Sequence, residues 1–339
     1  MFGKGCGCGL GRRGLLGGVG ATLAATAVRA QPAGRDWIDV HHHLSPPEYV
    51  TRIGRRTPLP GLVTDWTPAA TLADMDRAGI GKAVLSITTP GLWFGEVGEA
   101  KEVARACNEY ALSLVRAHPG RFGSFAALPM PDVDATLAEI AYAFDVLHAD
   151  GVLMFTSYAK WLGDPGMDPV LAELNRRKAV VYTHPAANAC CVNLVPGIPD
   201  PIIEYGTDTT RAIATLVFGG ASRRFPDIRF IFSHAGGTAP FLMDRFRFLA
   251  SIPANAGKFP DGVAAELQRF FYDTAQAADP GTMAALRALV PTSQVVFGTD
   301  YPYRKGLEQA EALEKCGFSP ADLTAIGRGN AARLLPRMA

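Results

Sequence analysis

Eight short apolar runs recur along the chain, and longer stretches in which apolar residues return every three or four positions alternate with them. The runs are Trp37–Leu44, Lys82–Thr88, Phe122–Leu128, Gly151–Ser157, Val180–His184, Ile228–His234, Phe270–Thr274 and Val295–Gly298. They are continuous rather than alternating, which predicts strands covered on both faces, as in a parallel sheet. The helical stretches are Thr71–Gly79, Glu96–His118, Asp134–Leu147, Met167–Arg177, Thr209–Ser222, Pro240–Leu249 and Asp279–Val290, with Pro320–Leu335 closing the chain. Gly79 and Pro119-Gly120 stand where helices stop. Two segments have no period: Ser45–Pro68, Pro-rich and carrying Arg52, Arg55 and Arg56, and Ala186–Thr207, rich in Pro, Gly and Asn. Eight βα units in about 300 residues predict a single (β/α)8 barrel. An open dinucleotide-binding sheet fits less well, because no GxGxxG follows the first strand.

Four of the strands end on metal-ligand side chains. The first closes on His41-His42-His43, the fifth on His184 in Thr183-His184-Pro185, and the sixth on His234 in Ser233-His234-Ala235-Gly236-Gly237. The last leads through Gly298-Thr299 to Asp300-Tyr301-Pro302. A strand alternates its faces, so His41 and His43 point one way and His42 the other. All four ends reach the carboxyl rim of the sheet, where barrels place their chemistry. Three or four such N/O ligands suit Zn²⁺ or Mn²⁺ with one position open.

Composition adds a leader and removes some partners. Of 339 residues, 48% are hydrophobic and 19% charged, enough for one large core. Residues 1–30 hold Lys4, Arg12, Arg13 and Arg29 and no acid, so without them 33 basic against 32 acidic residues become 29 against 32. Nothing in this balance invites nucleic acid. Arg12-Arg13, an Ala/Gly/Val-rich run and Val28-Arg29-Ala30 resemble a twin-arginine export signal, removed to leave a barrel of residues 31–339 in the periplasm. The alternative is a cytoplasmic protein with a Gly-rich tail. The run is short and Gly-interrupted for a membrane span. Outside the leader, Cys107 and Cys316 read as buried apolar residues. Neighbours such as Cys190 and Cys191 rarely bridge each other, although export would permit a disulfide from either.

Together the motifs Asp39-Val40-His41-His42-His43, Thr183-His184-Pro185, Ser233-His234-Ala235-Gly236-Gly237 and Gly298-Thr299-Asp300-Tyr301-Pro302 resemble the amidohydrolase superfamily. More narrowly, they are similar to its branch of metal-dependent decarboxylases of aminocarboxymuconate semialdehyde, γ-resorcylate and 6-methylsalicylate. The likeness covers roughly residues 36–337 and extends to Leu128-Pro129-Met130-Pro131-Asp132 and Asp208-Thr209-Thr210-Arg211-Ala212-Ile213. It implies one divalent ion held by His41, His43, His184 and Asp300, with His234 as the catalytic histidine beside it. His41, where some members carry an acid, favours the zinc-type arrangement. No lysine on the fourth strand offers a bridge for a second ion. Arg245 lies eleven residues after His234, where the family has an arginine that reaches a substrate carboxylate across a homodimer interface; a surface ion pair is its other reading. Asp273 is expected to line the pocket or cap the next helix, and His42 to face away, bonded to backbone.

The reaction so implied is non-oxidative decarboxylation of an aromatic, salicylate- or resorcylate-like, or related unsaturated carboxylic acid. Asp300 moves the proton and His234 steadies developing charge. Trp93, Phe94, Tyr158, Trp161 and Tyr301 stand at or after strand ends, placed to sandwich a flat ring. Hydrolysis of a lactone, amide or ester would use the same ligands and is the alternative.

Overall fold

The computed structural model describes residues 35–186 and 188–339, so the proposed export segment lies outside the described residues. Eight parallel strands follow one another in chain order: β1 Trp37–His43, β2 Ile80–Ser86, β3 Phe122–Ala126, β4 Gly151–Phe155, β5 Val180–His184, β6 Arg229–Phe232, β7 Phe271–Asp273 and β8 Val295–Val296. The sheet closes on itself. Val40 N–H donates to Phe297 O (3.0 Å), Asp300 N–H to His41 O (2.9 Å) and His43 N–H to Tyr301 O (2.8 Å). The result is the expected (β/α)8 barrel, and every residue of β1, β4 and β5 is buried, as continuous apolar runs require. Phe125 stacks on Tyr182 inside it at 5.2 Å between ring centroids, and Tyr182 meets the edge of His41 at 5.2 Å. These rings fill the barrel directly beneath the histidines.

The helices follow the apolar period with shifted ends. Val97–Ala117 buries Ala100, Val103, Ala104, Cys107, Ala111 and Leu114 along one stripe. The helix expected from Thr71 begins at Pro68, because Thr67 Oγ1 accepts from Ala70 N–H and Pro fits the first turn. It ends at Ala78, with Gly79 left-handed at φ 71°. Ser45–Pro68 is not a plain loop: it holds the helices Pro47–Gly54 and Gly61–Thr64. There Arg52 pairs with Glu48 and Glu102, and Arg56 with Glu99.

Likewise, Ala186–Thr207 becomes helical at Asp200, and that helix runs to Phe218. The closing helix is broken into Pro320–Thr324, a π turn Ala325–Gly329 and Asn330–Leu334. At Gly327 the backbone lies against the Trp37 indole, where a Cβ would collide with the ring. Cys190 and Cys191 are joined in a disulfide, against expectation, in the tight turn Ala189–Cys191 that Cys191 N–H closes onto Asn188 O. Among the described residues, no helix is long and apolar enough to cross a membrane.

Candidate metal centre and active site

Strand pleat and strand ends build the site. On β1, His41 and His43 face the barrel interior, and His42 faces outward. His184, at the end of β5, and Asp300, past β8, converge on the same point: the four ligand atoms lie within 4.8 Å of one another. His41 Nε2 is 3.2 Å from His43 Nε2, and Asp300 Oδ1 is 3.1 Å from the first and 3.0 Å from the second. Each ring has its far nitrogen engaged. His41 Nδ1 donates to Asp273 Oδ2 (2.8 Å), His43 Nδ1 to Ile87 O (3.2 Å) and His184 Nδ1 to Pro185 O (2.8 Å). Those bonds fix the tautomer and turn the Nε2 lone pairs inward, as outer partners of metal-bound imidazoles do.

The residues fit a divalent cation. His184 Nε2 is buried with no hydrogen-bond partner among the described residues, which is costly unless something electrophilic meets it. Lone pairs facing each other at the His41–His43 distance repel unless positive charge lies between them. The electrostatics agree. Burial alone would lower His41, yet Asp273 and Asp300 raise it to about 10. Burial pushes His184 well below the ordinary imidazole value, with His43 and His41 acting in the same direction, and it lowers His43 too. Burial works to raise the Asp300 carboxyl, but His41 and His43 hold it well below the carboxylate range. The cluster therefore carries a demand for positive charge that neutral imidazoles do not meet.

A cavity of about 350 Å³ opens onto this cluster, with His184, His234 and Asp300 in its wall. His234 Nδ1 donates to Ala275 O (2.9 Å), which leaves Nε2 for the cavity. Its backbone N–H donates to Asp273 Oδ1 (2.8 Å). Asp273 thus neither lines the cavity nor caps a helix; it is a buried carboxylate that holds His41 and His234. His42 bonds through Nδ1 to the Asp39 carboxylate (2.8 Å) rather than to backbone.

Several expected substrate contacts lie elsewhere. Tyr301 stacks on His42 at 4.6 Å, on the outer face of β1 and away from the cavity. Past the end of β8 the backbone turns left-handed at Asp300, φ 66°, and Tyr301 then bridges to His42. Trp93 and Phe94 are half-buried outside the cavity wall. Tyr158 OH accepts from Phe155 N–H, and Trp161 Nε1 donates to Asp208, so both serve the hairpin Ser157–Trp161. Lys160 is exposed and paired with Asp164. Arg245 is exposed on the helix Met243–Ser251 and makes no ion pair among the described residues.

The aromatic walls are instead Tyr205 and Tyr303, edge-on to His184 at 6.0 Å and to His43 at 5.9 Å. Their hydroxyls are tied to Thr89 (3.3 Å) and Thr88 (2.9 Å). Gln276 also lines the cavity, and among the described residues no Lys or Arg does. Reading Pro199-Asp200-Pro201 as a helix start would have revealed Tyr205; Tyr303 and Gln276 sit in turns that no period marks.

A closed (β/α)8 barrel whose carboxyl rim gathers three imidazoles and one carboxylate is the frame of a metal-dependent amidohydrolase-type enzyme. The amidohydrolase family pattern matches residues 38–337, and the chain belongs to that family. A decarboxylase, yanB, of Aspergillus niger is 34% identical over 325 residues, covering 89% of this chain and 88% of its own length. The 6-methylsalicylic acid decarboxylase of Penicillium expansum is 33% identical over 312 residues, covering 89% and 96%. A dihydroxybenzoic acid decarboxylase of Polaromonas sp. JS666, solved with manganese and 2-nitroresorcinol, shares the fold with a TM-score of 0.78 at 22% identity. That alignment covers 89% of this chain and 97% of the other. Decarboxylases among its relatives make this chain a carboxy-lyase, and hydrolysis is not favoured.

Proposed function

We propose that the chain decarboxylates a salicylate-type acid, one aromatic ring with a carboxylate, an adjacent hydroxyl and small apolar substituents. The observation that carries this is the cavity itself, which ends on the metal-type cluster, is walled by Tyr205 and Tyr303, and among the described residues has no Lys or Arg in its wall. Its volume is at the small end of ligand cavities, roughly 300–1,000 Å³. A single ring fits such a space. The acid named for the Penicillium relative is of this class.

Three histidines and one carboxylate accept Zn²⁺ or Mn²⁺. Held by His41, His43, His184 and Asp300, the ion would supply Lewis-acid polarisation of the bound acid. The bond from ring to carboxylate breaks, CO₂ leaves with neither oxidant nor reductant, and the electron pair stays on the ring carbon. That carbon must then take a proton. Asp300 commits Oδ1 to the histidines and, as an ionised carboxylate, presents Oδ2 to the cavity. Oδ2 is therefore the atom that takes the proton of the adjacent ring hydroxyl and passes it to the ring carbon, and the phenolate left behind regains a proton from water on release. His234 Nε2 faces the same space and steadies the charge on the ring oxygen. Tyr205 and Tyr303 hold the ring flat between them.

The decisive experiment is metal analysis of the purified protein with a CO₂-release assay on salicylate, 6-methylsalicylate, 2,6-dihydroxybenzoate and a muconate-type acid. One Zn²⁺ or Mn²⁺ per chain and CO₂ from the alkylsalicylate are expected. Bound metal with no CO₂ from any acid overturns the reading. We further assign residues 1–30 to export. The mass of the protein recovered from the periplasm should begin at Gln31, and an uncut cytoplasmic protein would refute this.

A further inference from the structure

The turn that follows β7, residues 273–277, touches three of the site residues at once. Asp273 Oδ2 accepts from His41 Nδ1, and Ala275 O accepts from His234 Nδ1. The side-chain amide of Gln276 donates to Asp300 Oδ2. We infer that Gln276 is the positioning residue of the reaction, and that it fixes the cavity-facing oxygen of Asp300 in the orientation from which a proton is delivered. This rests on the decarboxylase reading above.

A carboxylate anchored through one oxygen still rotates broadly about its terminal torsion. Oδ1 of Asp300 is held between His41 and His43, whereas Oδ2 has one hydrogen-bond partner among the described residues, Gln276. Without that donor, Oδ2 is free to swing toward the metal centre and chelate, which removes it from the cavity. Gln276 occupies a left-handed backbone conformation, φ 50°, that non-glycine residues rarely adopt. Its N–H is accepted by Oε1 of Gln309 at 3.0 Å. Gln309 is buried on the helix Gly306–Glu314, behind the turn and outside the cavity wall. A buried amide placed to receive one backbone N–H is a support for the turn, so the line of positioning runs from Gln309 through Gln276 to Asp300.

The test compares Gln276→Leu, Gln309→Leu and Gln309→Glu with the parent in the full-length protein, by kinetics and by the visible spectrum after substitution with Co²⁺. Losing an outer hydrogen bond to a metal-site group costs about 10–100-fold, so the kcat of Gln276→Leu should fall by that factor. KM should change much less, and one Co²⁺ should still bind with shifted d–d bands. Gln309→Glu keeps the acceptor and should retain more kcat than Gln309→Leu. A merely space-filling Gln309 would give the reverse order, because a buried charge is worse than a leucine. Unchanged kcat and bands in Gln276→Leu would overturn the inference. If that variant does not fold, the order of the two Gln309 variants decides. The Co²⁺ bands are read without substrate, so they test Gln276 even if no acid in the panel releases CO₂.

Discussion

At the scale of single residues, His184 states the need for a cation most directly. Its Nδ1 is taken by Pro185 O and its Nε2 meets nothing, so the ring has no reason to be buried except as a ligand. His184→Ala should therefore lower the bound metal in elemental analysis well below one ion per chain; unchanged stoichiometry would remove it from the ligand set. Asp273 holds His41 through Nδ1, and Asp273→Asn should weaken metal affinity by about 10–100-fold in a chelator titration. Asp300→Asn should keep the thermal melt close to the parent and abolish turnover, because an amide cannot pass the proton. His41, His43, His184, His234 and Asp300 were legible as candidates because each is a polar residue that closes an apolar run, and the family resemblance then singled out the four that the fold gathers. Tyr205, Tyr303 and Gln276 were not, since they project from a helix start and two turns whose directions follow from tertiary packing. Tyr301 misled for a simpler reason: proximity to Asp300 along the chain is not a shared direction where the backbone turns left-handed at Asp300.

At the scale of elements, strands were read more closely than what joins them. β5 matches its expected limits, Val180–His184, and the other strands shift by a few residues. Continuous burial makes the apolar run itself the signal. The Pro-rich segment after β1 concealed helix Pro47–Gly54 because a proline at a helix start looks, in sequence, like a proline in a loop. The broken C-terminal helix was invisible for a different reason. Its apolar period continues through the break, and the π turn exists to let backbone at Gly327 approach Trp37, whose ring in turn packs edge-on against Phe297 at 4.7 Å. Trp37 begins the strand that carries His41 and His43, so this contact sits under the site. Adding a methyl there overpacks a filled core, a cost of about 1–3 kcal/mol. Gly327→Ala should lower the melting temperature measurably, and an unchanged melt would mean that the turn is not shaped by this packing.

At the scale of the whole molecule, the distribution of exposed apolar residues is uneven in a way that bears on the site. Of eleven large hydrophobic side chains exposed among the described residues, nine fall in 192–203 and 241–249, including Ile202 at 72%, Phe241 at 65% and Phe248 at 73%. The helix Asp200–Phe218 and the turn after β6 meet where Thr238 N–H donates to Gly206 O and Thr210 bonds Thr238. Ile202 also borders the cavity. Exposed apolar side chains concentrated in this way mark a surface that another molecule covers. We propose that a second copy covers it, because Arg245 is exposed between Phe241 and Phe248 and, among the described residues, no Lys or Arg lines the cavity. In a two-fold dimer each mouth would then receive the partner subunit's Arg245. Phe248→Glu should halve the mass seen by light scattering and reduce activity with it. Sharper evidence comes from mixing. Arg245→Ala and Asp300→Asn are each inactive if the arginine acts across the interface, but a mixed dimer holds one site with both groups intact. Random re-pairing of equal amounts should restore about a quarter of the parent activity, because half the dimers are mixed and each has one working site of two. If mixed dimers form and no activity returns, Arg245 serves its own chain or none, and the apolar face must be explained by a different partner.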